Sequence, residues 1–276
     1  MSNSIWCGEE LDLDAYLARI GFEGTFRPDL ETLRAVHRSH VAAIPFENLE
    51  VILGRPVLLD IKALQDKMVT RRRGGYCYEQ NSLLAAALER MGFSVSGLGA
   101  RVRASSETLR PVTHMALSVE ADSEEWLCDV GFGGEGLMEP LPLRDGAEAG
   151  QGEWRFGMGR EEKGVRVLRT LRSDGWADLY AIGPEDRFPV DYVLMNHFTS
   201  THPRSPFVSR PVVQQAQPAL RRTLVGSMLT NVRPDGSMEQ RKVGEGELTE
   251  VLRSEFRIEL DEREAATLAR VYSCGT

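Results

Sequence analysis

One stretch constrains this chain more than any other. Arg72-Arg73-Gly74-Gly75-Tyr76-Cys77-Tyr78-Glu79-Gln80-Asn81 puts a cysteine where a loop passes into a helix. Two glycines immediately before the thiol leave no Cβ to obstruct a tight turn. Beyond it Leu83, Leu84, Ala87, Leu88 and Met91 recur at helical spacing, and Gly92 stands where a C-terminal cap belongs. The spacing therefore predicts that Cys77 lies in or beside the first turn of a helix. Unpaired N–H groups and the positive end of the helix dipole stabilise a thiolate there, the form of cysteine that attacks carbon. A cysteine is equally a small buried hydrophobe, so a partner has to decide between the two readings.

The flanking sequence predicts a helical start. Leu13, Tyr16, Leu17 and Ile20 share a face behind Asp12, and Gly21 ends the pattern. A second helix fits Leu30, Leu33 and His37 after Pro28-Asp29 and must stop before Pro45. A third follows Asp60 through Ile61, Leu64 and Met68, whereas Val51-Ile52-Leu53 reads as extended. His37 and His40 read as plain core or surface histidines, because no acid or thiol lies near them in sequence. The triplet Arg71-Arg72-Arg73 reads either as solvated charge or as a lure for an anionic substrate.

After Gly92 the period changes from helical to alternating. Segments 95–102, 113–119, 126–130, 154–171 and 176–182 read as short strands of an antiparallel sheet or barrel. Between them 140–152 reads as a surface loop, and 196–203 as a connector. Pro234-Asp235-Gly236 predicts a hairpin turn, and 248–258 and 261–272 read as terminal helices.

Composition narrows the function. A net charge of -8 over 276 residues argues against a general nucleic-acid or anionic-membrane surface. Cys7, Cys77, Cys128 and Cys274 are scattered with no C-x-x-C pair, which argues against a disulfide scaffold, a zinc site or any other metal centre. The first ten residues hold no basic region or long apolar run, and no window is long enough to span a bilayer, so a cytoplasmic protein is expected.

A partner for the thiol emerges from two predicted strands, Thr113-His114-Met115-Ala116-Leu117-Ser118-Val119 and Glu125-Trp126-Leu127-Cys128-Asp129-Val130. A hairpin symmetric about Ala121 and Asp122 sets His114 directly opposite Asp129, so that the carboxylate holds the imidazole in one tautomer. A thiol, an imidazole and an orienting carboxylate meet the requirements of a cysteine nucleophile that transfers acyl groups through a thioester. Cys128 alternates to the other face and reads as core. Gly131-Phe132-Gly133-Gly134-Glu135-Gly136 matches a dinucleotide fingerprint, but Leu137-Met138-Glu139-Pro140 cannot open the helix that fingerprint needs.

These residues carry a resemblance. Ile44-Pro45-Phe46-Glu47-Asn48-Leu49, the Arg73 to Asn81 stretch, Thr113-His114-Met115, Asp129-Val130-Gly131-Phe132-Gly133 and Ser200-Thr201-His202-Pro203-Arg204-Ser205-Pro206-Phe207 occur in the order seen in arylamine N-acetyltransferases. The chain resembles that family over nearly its whole length. The resemblance implies a Cys77-His114-Asp129 triad in an α+β fold with a cysteine-protease and transglutaminase-like core. It also implies three domains: a helical bundle over 1–92, an antiparallel β-barrel over 93–200 and an α/β lid over 201–276. Acetyl-coenzyme A is the implied co-substrate, with an arylamine, hydrazine or N-hydroxyarylamine as small-molecule acceptor in a ping-pong reaction. Phe46, Phe132 and Phe207 match positions lining the acceptor pocket, Gly133 and Gly134 those near the coenzyme, and Glu47 and Arg73 a buried structural pair. Residues 214–233 depart from the family's pattern, so no third-domain coenzyme contact is implied. A related amide synthase closing a polyketide chain, a cysteine hydrolase and a binding module with an inert thiol stay open as alternatives.

Overall fold

The caps behave as their residues dictate. Asp12 accepts from Ala15 N and opens α1 (Leu13–Ile20), which Gly21 ends in the left-handed region at φ 70°. Asp29 accepts from Thr32 N and opens α2 (Leu30–Ala43). The computed structural model describes residues 4–103 and 109–274. After α2 the chain forms a two-residue strand, β1 (Phe46–Glu47), and a short helix, α3 (Leu49–Ile52), where the β-branched run had suggested an extended segment. The helix wins because Leu49 N donates to Glu47 Oε2 and Leu49 and Ile52 are buried in a small apolar cluster. Helix α4 (Ile61–Gln65) continues through a π-turn over Asp66–Thr70 into the glycine loop, and α5 (Cys77–Arg90) follows.

The alternating segments build an eight-stranded antiparallel sheet from β2 (Ser94–Val102), β3 (His114–Ala121), β4 (Glu124–Cys128), β5 (Leu141–Pro142), β6 (Glu148–Gln151), β7 (Trp154–Arg160), β8 (Arg166–Arg172) and β9 (Gly175–Arg187), in the order β5-β4-β3-β2-β9-β8-β7-β6. The edge strands β5 and β6 come back together, which nearly closes the barrel. Both lie in the stretch expected to be a loop, and their Gly and Pro content suits edge positions rather than a central ladder. The expected connector is the end of a 13-residue helix, α6 (Pro189–Thr201), opened by a proline in its first turn.

The rest of the chain is a meander of β10 (Val212–Gln217), β11 (Leu220–Val225), β12 (Met228–Val232) and β13 (Met238–Lys242), followed by α7 (Leu248–Phe256) and α8 (Glu262–Cys274). The Pro234-Asp235-Gly236 turn joins β12 to β13 as expected. β1 completes this sheet by pairing with β10, Phe46 against Gln214 and Glu47 against Val213. The fold is therefore a helical region, a nearly closed antiparallel barrel and an α/β region, tied together by β1. No helix among the described residues is long and apolar enough to cross a membrane.

Candidate active site

Helix α5 carries the thiol and also organises what surrounds it. Its first half is buried all round, and the three residues after Tyr78 point to three different neighbours. Glu79 accepts from Tyr76 N at 3.0 Å and from Lys67 Nζ at 2.6 Å, which fixes the helix start. Gln80 donates to Gly75 O at 2.7 Å and holds the preceding loop. Asn81 donates to Asp129 Oδ1 at 3.0 Å and to Met115 O at 2.8 Å, and accepts from Val130 N at 3.1 Å. One helical turn thus binds the loop before Cys77 and both strands that bring the other two candidate residues.

Cys77, His114 and Asp129 converge, each no more than 5% exposed. His114 Nε2 lies 2.7 Å from Asp129 Oδ2, so Nδ1 is the nitrogen left for the thiol. Cys77 Sγ lies 3.9 Å from the carbonyl oxygen of Thr113, the residue before His114. Burial by itself favours a neutral imidazole, but the Asp129 carboxylate more than offsets this and, with Cys77 adding to it, pushes the His114 pKa up to about 10. Burial likewise opposes the Asp129 charge, yet His114, Asn81 and the Gly131 N–H hold its carboxyl below the usual range. The arrangement maintains an imidazolium beside a thiol at a helix N-terminus, which is how a cysteine is made nucleophilic.

The strand register differs from the symmetric hairpin expected. Ala121 pairs with Glu124 and Leu117 with Cys128, around a two-residue turn in which Asp122 and Ser123 have φ of 50° and 64°. Carried one residue past β4, this register sets Asp129 against Ala116, not His114. The two-residue offset leaves both side chains on the same face, and they meet diagonally. The glycines also differ from expectation. Gly74 and Gly75 are absent from the positive-φ residues, and a Cβ on Gly74 would strike the Pro45 carbonyl, so Gly74 serves close packing. Gly131 does the same beside the thiol: a Cβ there would stand 2.6 Å from Cys77 Cα.

The three phenylalanines expected to line an acceptor pocket make two sets of ring contacts. The Phe132 ring lies 5.1 Å from that of His114, and Phe46 and Phe207 lie 5.8 Å apart. Gly133 and Gly134 pack against β10 and β11: Gly134 N donates to Gln214 Oε1 at 3.2 Å, and Thr223 Oγ1 borders the same glycine. The Glu47 and Arg73 pair is present at 3.1 Å and belongs to a larger buried ionic cluster. Lys67 approaches Glu47 at 3.6 Å, and Arg73 also meets Glu264 of α8 at 3.1 Å, which Arg55 grips at 2.6 Å. Burial alone raises the Glu47 carboxyl, but Lys67 and Arg73 bring it below its ordinary value.

Two residues at the site escaped the sequence reading. His37, taken as a plain core or surface histidine, is fully buried and holds the aspartate loop: its Nε2 accepts from Asp129 N at 3.1 Å while Nδ1 sits 3.1 Å from Met138 O. Burial lowers its pKa to about 4, so it stays neutral and keeps the accepting nitrogen free. Tyr180 packs its ring 4.8 Å from that of His114. Burial, and then the neighbouring Asp129 carboxylate, raises the pKa of its hydroxyl well above the ordinary value. Neither residue lies near Cys77, His114 or Asp129 in sequence, and only the β9 alternation pointed Tyr180 inward.

Comparison with known proteins adds a name. A family model described as N-acetyltransferase matches residues 29–265. An arylamine N-acetyltransferase of Mycolicibacterium smegmatis is 37% identical over 256 residues, covering 91% of this chain and 93% of that protein. The chain belongs to the arylamine N-acetyltransferase family. Among solved arylamine N-acetyltransferases, that of Nocardia farcinica superposes with a TM-score of 0.91 at 48% identity, over 96% of this chain and 95% of the other. The Mycobacterium marinum arylamine N-acetyltransferase, solved in complex with CoA, gives 0.86 at 33% identity, over 94% and 99%.

Proposed function

We propose that this arylamine N-acetyltransferase moves an acetyl group from acetyl-coenzyme A to the nitrogen of arylamines, hydrazines or N-hydroxyarylamines through a thioester on Cys77. The observation that carries the reading is the 2.7 Å bond between His114 Nε2 and Asp129 Oδ2, which turns Nδ1 toward a thiol at a helix start. In the first half-reaction the thiolate attacks the acetyl carbonyl, the C–S bond to the coenzyme breaks, and the imidazolium protonates the departing sulfur. In the second, the now neutral imidazole takes a proton from the attacking amine. Cys77 leaves as a thiolate and the ion pair is restored. N–H groups of the first turn of α5 face the oxyanion that forms in each half.

The CoA complex of the M. marinum relative supports the coenzyme as donor. Phe46, Phe132 and Phe207 form the apolar wall for the acceptor, and the seam where Gly133 and Gly134 meet Gln214 and Thr223 borders the coenzyme. A free thiolate at Cys77 suits the reducing cytoplasm; activity recovered in a membrane or secreted fraction contradicts that placement. Initial rates measured against acetyl-coenzyme A at several fixed aniline concentrations test the reaction order. Parallel double-reciprocal lines are expected, and intersecting lines contradict a covalent intermediate. Steady acetate release without an amine identifies a hydrolase instead, and turnover of a tethered thioester without coenzyme identifies an amide synthase.

A further inference from the structure

The triplet Arg71-Arg72-Arg73 splits three ways in the folded chain. Arg71 pairs with Asp66 at 2.8 Å, and Arg73 enters the buried ionic cluster. Arg72 instead lines an open cavity of about 490 Å³ together with Arg19, Arg253 and Arg257. The cavity lies between the C-terminal end of α1, the end of α2 at Ala43, the loop before the nucleophile and the C-terminal end of α7. None of Cys77, His114, Asp129, Phe46, Phe132 or Phe207 lines it.

Four guanidiniums share this cavity, in a chain of net charge -8. Arg253 has a carboxylate partner, Glu250, at 2.7 Å. Arg19, Arg72 and Arg257 form no ion pair among the described residues. Arg19 is only 7% exposed, donates Nε to Met68 O and Nη2 to Arg72 O, and makes no described hydrogen bond through Nη1. Burial, then the charges of Arg72 and Arg257, lower its pKa to about 10, so the guanidinium is held where its own charge is disfavoured. Against these cations stand Glu259 and three helix ends worth roughly half a negative charge each, and the balance stays positive.

Two of these arginines stand at helix ends. Six non-glycine residues among those described have positive φ, and two of them, Arg72 at 52° and Arg257 at 58°, line this cavity. Arg257 is the left-handed residue that caps α7, its N–H reaching the Arg253 and Leu252 carbonyls, and Arg72 follows the π-turn in the same conformation, so both guanidiniums are carried by helix-ending residues where glycine fits without backbone cost.

We propose that this cavity binds the phosphate group of a small molecule, at a site separate from the thiol. Arginine forks match phosphate oxygens in pairs, and the volume lies within the range of small-molecule sites. A bound phosphate bridges the nucleophile loop, through Arg72, to the C-terminal region, through Arg257.

Calorimetric titration and thermal unfolding of the intact enzyme with inorganic phosphate, pyrophosphate and adenosine 3′,5′-bisphosphate, at ionic strength matched with chloride, test the proposal. The tightest of the three identifies whether the natural source is a free anion or a nucleotide. Arg72→Gly and Arg257→Gly remove one guanidinium each where a left-handed residue favours glycine. Both variants are expected to fold, to unfold at an unchanged or higher temperature without ligand, and to bind pyrophosphate about tenfold more weakly, a loss of roughly 1.4 kcal/mol. Pyrophosphate binding is also expected to persist under saturating coenzyme A. Three results overturn the proposal: no saturable binding of any of the three anions, wild-type affinity for pyrophosphate in both variants, or displacement by coenzyme A. If the arginines only neutralise helix ends, the glycine variants lose stability and the wild-type chain binds no phosphate.

Discussion

At His114 the decisive quantity is the contest between burial and a neighbouring carboxylate. A free imidazole titrates at about 6.5, and this ring is held at about 10 in the fold. A raised pKa stabilises the folded chain fully below about pH 6.5, and that contribution is lost as pH climbs through about 10. Asp129→Asn removes the charge and leaves burial unopposed, so the alkaline limb of the kcat/KM profile moves to lower pH. Activity falls on the order of 10³- to 10⁴-fold, as expected when an orienting carboxylate is lost. An unchanged limb contradicts the assignment. His37 has the opposite sign. Held near 4 in the fold against 6.5, it resists protonation, so stability is complete above about pH 6.5 and declines by on the order of 3 kcal/mol as pH falls toward 4. His37→Phe deletes both ring hydrogen bonds, so kcat decreases with little change in KM, while the urea midpoint becomes less dependent on pH between 7 and 5. Equal pH dependence in the two proteins shows that His37 does not carry this term.

At the scale of elements, the site depends on how closely the exit of β4 passes the start of α5. Gly131→Ala sets a Cβ 2.6 Å from Cys77 Cα and 2.9 Å from Asn81 Nδ2. One element must shift, and the Asn81 bond to Asp129 stretches with it. We expect a loss of about 1–3 kcal/mol of stability with a disproportionate fall in kcat, read by urea unfolding and by turnover. Wild-type kcat in this variant sinks the argument. The elements that were legible in the sequence share a property: their apolar periodicity faces the core. The spacing behind Asp12, Asp29 and Cys77 gave three helices, and alternation gave β2, β3 and β4. Helix α6 was missed because its pattern is inverted. Val190, Val193 and Leu194 face solvent, while Tyr192, Asn196 and Thr199 are buried and spend their polar atoms on Leu98, Val57 and Tyr78. The same limit applies inside the site: Cys77, His114 and Asp129 were readable from motif and strand, but the diagonal contact depended on a turn one residue later than symmetry suggested. His37 was invisible because its partners, Asp129 and Met138, lie about 100 residues away.

Across the whole molecule, the buried ionic cluster joins the N-terminal helices, the thiol loop and α8. Arg73, 1% exposed, bonds Glu47 on one side and Glu264 on the other. Glu264→Gln leaves Arg73 and Arg55 short of one carboxylate and loosens α8 from the loop that leads to Cys77. A loss of about 1–3 kcal/mol in urea unfolding is expected, together with lower kcat; wild-type values for both show that α8 does not support the loop. The fold as a whole converges on one sulfur, so the most direct measurement is peptide-resolved mass spectrometry of the enzyme after exposure to acetyl-coenzyme A with no acceptor present. A single acetyl group on Cys77, discharged when aniline is added and absent from Asp129→Asn, is the predicted result. An unmodified Cys77 in an enzyme that still acetylates aniline contradicts the account.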